Sequence, residues 1–163
     1  MASLKIGRRG LIGFVLAAAL SACAATAATE PPRVVMLKVE PLEIVTPAGR
    51  TKLQVEVADT PATRERGLMY RKSLAPDRGM LFDFKAPQPV AFWMHDTLIP
   101  LDLVFIRADG TVLSIARNAR PMDETPISSG GPIRGVLEIA GGRAAQIGVL
   151  PGDRIVHRIF PPG

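Results

Sequence analysis

Leu101-Asp102-Leu103-Val104-Phe105-Ile106-Arg107-Ala108-Asp109-Gly110-Thr111-Val112-Leu113-Ser114-Ile115-Ala116-Arg117 reads as two strands joined by a tight turn. Asp109-Gly110 is the strongest hairpin signal in the chain, because such turns need positive φ, which Gly and Asp tolerate best. Leu103 to Ile106 are consecutive and apolar, so Leu101–Arg107 is expected to be a strand covered on both faces. Its partner is Thr111–Arg117.

Working outward from this hairpin, short apolar runs alternate with turn residues. Toward the N-terminus, Val90–Met94 and Gly79–Phe84 read as strands, separated by Pro87 and Pro89. Thr60-Pro61 is an N-cap residue followed by Pro at the first helical position, and it predicts a short helix to about Arg66, ended by Gly67. Leu53–Ala58 alternates, with Leu53, Val55 and Val57 on one face and Gln54 and Glu56 on the other, the pattern of a half-buried strand. Val34–Val39 reads as another strand, closed by Pro41. Toward the C-terminus, Asn118–Pro132 is a long polar loop, Gly135–Ile139 a strand and Gly141–Ile147 a short helix. Pro151-Gly152-Asp153 is a turn and Arg154–Phe160 a last strand. These pieces predict an α+β domain with a largely antiparallel, β-rich sheet, curled or closed into a small barrel, and two short helices.

The first 33 residues follow another logic. Lys5, Arg8 and Arg9 precede an apolar stretch from Leu11 to Leu20, and small residues follow. That reads as a secretory signal over residues 1–22, whose apolar stretch is about half the ~20 residues needed to span a bilayer. The four residues Leu20-Ser21-Ala22-Cys23 resemble the lipobox of bacterial lipoproteins, in which the cysteine becomes lipidated. Ordinary cleavage after Ala24 or Ala27 is the alternative, and Arg8-Arg9 is also compatible with a twin-arginine signal. Residues 23–33 are small and Pro-rich, a flexible tether, and residues 34–163 are the domain. The expected address is the periplasm or cell envelope, with membrane anchoring through Cys23.

Removing the signal changes the charge argument. The chain has 20 Lys and Arg against 15 Asp and Glu; without Lys5, Arg8 and Arg9, 17 basic residues face 15 acidic ones, a net charge of +2. No basic run interleaved with aromatics remains, so nucleic acid is not an expected partner. Cys23 is the single cysteine, so thiol chemistry and disulfides are not expected in the domain.

A resemblance enters at Gly67-Leu68-Met69-Tyr70-Arg71, followed by Gly79-Met80-Leu81-Phe82 and by Phe92-Trp93-Met94-His95-Asp96-Thr97-Leu98-Ile99-Pro100-Leu101-Asp102-Leu103-Val104-Phe105. Asp109-Gly110, Val136-Leu137-Glu138 and Gly152-Asp153 continue it. This order and spacing resemble the bacterial and archaeal family known as domain of unknown function 192, from roughly Leu53 to Phe160. The resemblance implies a small β-rich α+β domain, often exported, with no established activity, cofactor or catalytic residue. This chain departs from the family at one notable place: Asp96 after His95 stands where the family usually has Asn, often after Lys.

The richest segment is Trp93 to Thr97, with Asp102 close behind; it holds the single Trp and one of the two His residues. Trp93, His95, Asp96, Thr97 and Asp102 are the candidate ligand-binding residues. His95, Asp96 and Asp102, with Glu138 as a further member, have the chemistry for general acid and base work or for a divalent metal. The competing reading makes Asp96 and Thr97 turn caps, Asp102 an acceptor of backbone amides and Trp93 a core residue. Other catalytic sets fail on inventory. A serine triad would need His95 or His157 and finds no Gly-x-Ser-x-Gly elbow, and no glycine loop for phosphate is present. No cofactor or metal is expected. Met69, Met80, Met94 and Met122 read as core fillers, and Arg64, Arg66, Arg71, Lys72 and Arg78 as a solvated basic segment. Arg143 to Ile155 resembles the helix-turn-strand end of a PDZ domain, which binds peptides by strand addition and would need an exposed edge beside Arg154–Phe160 or Gly135–Ile139. The expected function is an envelope binding module acting through the Trp93–Asp102 face. The alternatives are a small hydrolase or metal-dependent enzyme and a PDZ-like peptide binder.

Overall fold

The Asp109-Gly110 hairpin is present in the computed structural model, which describes residues 34–161. The signal, Cys23 and the tether lie outside the described residues. The elements in chain order are β1 (Val39–Thr46), β2 (Gly49–Ala58), α1 (Pro61–Arg66), β3 (Arg78–Gln88), β4 (Ala91–Phe92), β5 (Leu101–Ile106), β6 (Val112–Ala119), β7 (Ile127–Ser128), β8 (Ile133–Ala140), α2 (Arg143–Ile147) and β9 (Arg154–Val156). Seven strands make one sheet in the order β6-β5-β8-β3-β2-β1-β9, and β4 pairs separately with β7. The helices have six and five residues, too few to form a layer of their own. The fold is therefore mostly β, and the α+β expectation holds only loosely.

Neighbouring strands pair antiparallel except β2 and β3, which are parallel because α1 lies in the connection between them. The sheet curls into a half-barrel. Its two outer strands meet at one corner, where Thr111 bridges Arg154, Val112 donates its N–H to the Asp153 carbonyl at 2.8 Å and Ile155 donates to the Gly110 carbonyl at 2.8 Å.

Strand alternation sorts the core onto two faces. Leu53, Val55, Leu81, Val104, Leu137, Ile139 and Ile155 belong to one cluster, joined by Ala144 of α2. Ala58, Met80, Phe82, Leu103, Phe105 and Val136 form the second, under Leu68 and Met94. All six residues of β5 are buried, as an apolar run flanked on both faces requires.

Several boundaries differ from expectation. Residues 34–38 are not a strand: Arg71 donates to the Val35 carbonyl at 3.0 Å and Leu37 donates to Glu56 Oε2 at 2.7 Å, so side chains hold most of this segment, and the Val57 N–H reaches the Lys38 carbonyl at 3.2 Å where β1 is about to begin. β1 instead begins at Val39 and runs through Pro41. Pro41 lies past the stretch Glu43–Val45 that pairs with β9, on an open edge that tolerates a missing N–H. Glu56 is buried, not solvated, in a two-pronged ion pair with buried Arg71, at 2.6 and 2.7 Å. Arg71 therefore does not belong to a solvated basic face. β7 forms inside the expected loop. The last strand ends at Val156, where a turn closes with the Phe160 N–H on the His157 carbonyl at 3.0 Å.

Candidate functional site

Glu138 stands on β8 opposite Met80 of β3 and Leu103 of β5, both in the second cluster. It is buried, and it lines a cavity of about 300 Å³. Leu68, Met69, Phe82, Phe84, Phe92 and Trp93 supply the apolar wall, Thr97 a hydroxyl, and Arg64, Glu65 and Arg66 the charged part. The wall is organised by Phe92, whose ring meets Phe82 edge-on at 5.1 Å and Phe84 at 6.2 Å. Arg64 stacks over Phe84 at 5.2 Å and donates to the Asp59 and Asp83 carbonyls.

The helix that borders the cavity forms for local reasons. Thr60 accepts from the Thr63 N–H and Thr63 Oγ1 from the Thr60 N–H, closing a capping box ahead of Pro61. Gly67 ends α1 with φ near +48°, and an added Cβ would press on the Phe82 ring at 3.2 Å.

Glu138 makes no side-chain hydrogen bond or ion pair among the described residues. Burial alone pushes its pKa up to about 8. The group is therefore largely uncharged at pH 7, offering one donor and one acceptor to whatever enters the cavity.

A second depression adjoins the first, lined by Glu65, Arg66, Met69, Trp93, His95 and Asp96. Here the Tyr70 hydroxyl donates to Asp96 Oδ2, His95 Nε2 lies 3.6 Å from the same oxygen, and His95 Nδ1 is 2.8 Å from Glu124 Oε1. The Glu124 hydrogen bond, aided by the Asp96 charge, raises the His95 pKa; the Asp96 hydrogen bond raises that of Tyr70. The backbone is unusual as well. Tyr70 and Asp96 both have positive φ, and the Tyr70 N–H bonds the Asp96 carbonyl at 2.8 Å. Non-glycine residues in this region cost on the order of 1 kcal/mol or more and concentrate at functional sites.

The structure brings four of the five sequence-predicted residues to one cleft. Trp93 and Thr97 line the first cavity, and Trp93, His95 and Asp96 the second. Trp93 is not core: it is 55% exposed, with its ring 5.4 Å from that of His95. Asp102 is elsewhere. It is fully buried and accepts from the backbone N–H of Asn118, Gly142 and Ala144 at 2.7, 3.0 and 2.7 Å. It thereby caps α2, whose own N-cap residue is a glycine. The set His95, Asp96 and Asp102 therefore does not converge, and a hydrolase or metal site built on all three is ruled out. His157 is buried next to Glu40 at 3.2 Å, and Arg158 forks onto the same carboxylate and holds its pKa at about 2.

Strand addition fails as well. β8 is paired on both sides, and β9 is flanked by β1 and by the Gly110–Thr111 bridge. Met80 and Met94 are core, whereas Met122 is 55% exposed. Sequence reasoning overlooked the phenylalanine wall and Tyr70. The signals for Tyr70 were its being the sole tyrosine and its place in the Gly67–Arg71 motif.

The family model for domain of unknown function 192, described as an uncharacterized ACR, matches residues 43–157. No curated protein matches the chain. A crystal structure from Sinorhizobium meliloti 1021, described as a proposed transcription regulator, is 43% identical with a TM-score of 0.75 and covers 78% of this chain and 100% of its own. A protein of unknown function from Novosphingobium aromaticivorans DSM 12444 is 42% identical with a TM-score of 0.73, covering 74% and 86%.

Proposed function

The chain belongs to the family domain of unknown function 192, and from that premise we propose that it is an exported, envelope-tethered binding module that holds a small organic ligand in the cleft between α1 and the Phe92–Thr97 segment. One observation carries this reading: a buried carboxyl, Glu138, without a partner among the described residues, facing an aromatic-walled cavity. The carboxyl opens onto the cavity, so a ligand there exchanges its contact with water for a hydrogen bond in apolar surroundings. Exposed Trp93 beside the cavity and the left-handed pair Tyr70 and Asp96 next to it support the same cleft. Export and tethering rest on the residue 1–22 signal and on Cys23 in its lipobox-like setting. A regulator's role, as described for the Sinorhizobium relative, is not adopted, since a net charge of +2 past the signal gives no electrostatic case for DNA.

Backbone amide NMR with a mixture of small amines, alcohols, carboxylates and sugars tests the cleft. Shifts confined to Gly67, Phe92–Thr97 and Glu138 are expected; shifts elsewhere, or none, overturn it. Cys23→Ser is expected to release the protein from membranes, and unchanged fractionation refutes the anchor.

A further inference from the structure

Resting on the cleft reading above, we infer that the ligand is a small organic cation, an ammonium group on a short apolar body, seated between Glu138 and the rings of Phe82, Phe92 and Trp93. Three observations meet here. First, Glu138 is buried at the cavity and makes no hydrogen bond or ion pair with another side chain among the described residues, and burial governs its ionisation. Second, the charged side chains that share the cavity, Arg64, Glu65 and Arg66, all come from α1, and the strands flanking Glu138 present Met80 and Leu103. Third, Phe82, Phe92 and Trp93 line the same space beside Phe84, whose ring already carries the Arg64 guanidinium. Ring faces carry negative potential and attract cations, most strongly where water is excluded.

An alcohol would satisfy the carboxyl's hydrogen bonds but gain nothing from the ring potential. A carboxylate could turn to the α1 arginines of the lining but would need Glu138 to keep its proton and would meet the repelling faces of the rings. An ammonium ion supplies the missing counter-charge, hydrogen-bond donors and the ring contact in one group. The volume of about 300 Å³ suits a molecule of a few carbons.

The cation binds the ionised carboxylate, so at neutral pH Glu138 must release its proton on binding. Affinity then rises about tenfold per pH unit up to the Glu138 pKa of about 8 and levels off above it. An anion or a hydroxyl bound to the protonated acid gives a flat profile or the opposite slope.

The test titrates full-length protein with n-butylammonium, 1-butanol and butyrate at constant ionic strength, reading the emission of Trp93, the single tryptophan. Butylammonium is expected to saturate at least tenfold more tightly than the other two, with the rising pH profile on the wild type. Glu138→Gln is expected to weaken it tenfold or more and to flatten the profile. If butanol or butyrate binds as well as the amine, and Glu138→Gln weakens that binding, the cation assignment falls while the cleft reading stands. If none of the three changes Trp93 emission, or Glu138→Gln responds like wild type, both fall. The pH slope on the unmutated chain keeps the test decisive whatever the stability of the variant.

Discussion

Asp102 and Glu138 stand on neighbouring strands, β5 and β8, and both are buried, at 0% and 5% exposure. Register pairs Leu103 with Glu138 and Asp102 with Ile139, so alternation sends the two carboxyls to opposite faces of one sheet. On its face Asp102 meets three backbone N–H groups and ties β6 and α2 to the sheet. On the other face Glu138 meets apolar side chains and a cavity. Burial is thus no guide to the role of a carboxyl; the count of donors around it is. A group whose lone pairs are filled by the chain itself is scaffold, and a group left unfilled is open to something the chain does not contain.

Four measurements can break or sharpen this contrast. The largest effect is expected from Asp102→Ala, which orphans three backbone donors at once. Each unsatisfied buried donor costs roughly 1–3 kcal/mol, so a loss of about 3–5 kcal/mol in urea denaturation is expected, and a loss below about 1 kcal/mol would remove Asp102 from the scaffold.

Glu138→Gln is expected to act in the opposite direction. The folded chain holds the Glu138 proton up to about pH 8, whereas the unfolded chain releases it near the ordinary 4.5. A raised carboxylate pKa means that the folded state binds more protons in that window, so stability declines as pH rises from about 4.5 to 8. The glutamine variant lacks this decline. It should be the more stable protein at pH 8 by roughly 2–4 kcal/mol and close to wild type at pH 4.5. Parallel pH profiles for the two proteins would show that Glu138 has a partner after all.

Asp96 provides a smaller effect. Its φ of +52° suits Asn and Asp and penalises a β-branched residue. Asp96→Asn should change stability by less than about 0.5 kcal/mol, and Asp96→Val should cost about 1–3 kcal/mol. Equal costs for the two would mean that charge, not backbone shape, governs the position. The smallest expected effect is electrostatic: Glu124→Gln should lower the His95 pKa toward 6.5 in an NMR titration, since Glu124 is the first cause of its elevation. An unmoved His95 would assign the elevation to Asp96 instead.

The positive φ of Asp96 also accounts for a departure noted in the sequence. Where the family usually carries Asn, this chain carries Asp, and both are short polar residues suited to a left-handed turn. The turn shape tolerates either residue, while the charge adds the contacts to Tyr70 and His95.

Much of the fold was legible because its signals are local. Asp109-Gly110 makes its hairpin from two residues, Thr60-Pro61 starts α1, and the unbroken run Leu103–Ile106 announces a strand buried on both faces. Pro41 misled the reading, because its tolerance depends on where β9 stops pairing, more than a hundred residues away in sequence. Glu56 misled it too, since alternation places its side chain but does not say that Arg71 covers it. The site divides in the same way. The Trp93–Thr97 cluster was visible as a concentration of unusual residue types. The exposure of Trp93, the phenylalanine wall and the separation of Asp102 from its neighbours were not.

What the sequence by itself determined is therefore the strand and turn inventory, the family and the segment that borders the cleft, because propensity, alternation and turn chemistry act over a few residues. What only the tertiary structure decided is which buried carboxyl is satisfied. Asp102 and Glu138 sit in similar apolar surroundings on paper. The amides that occupy one and the cavity that faces the other are assembled from distant elements, and the curl of the sheet brings those elements to opposite faces.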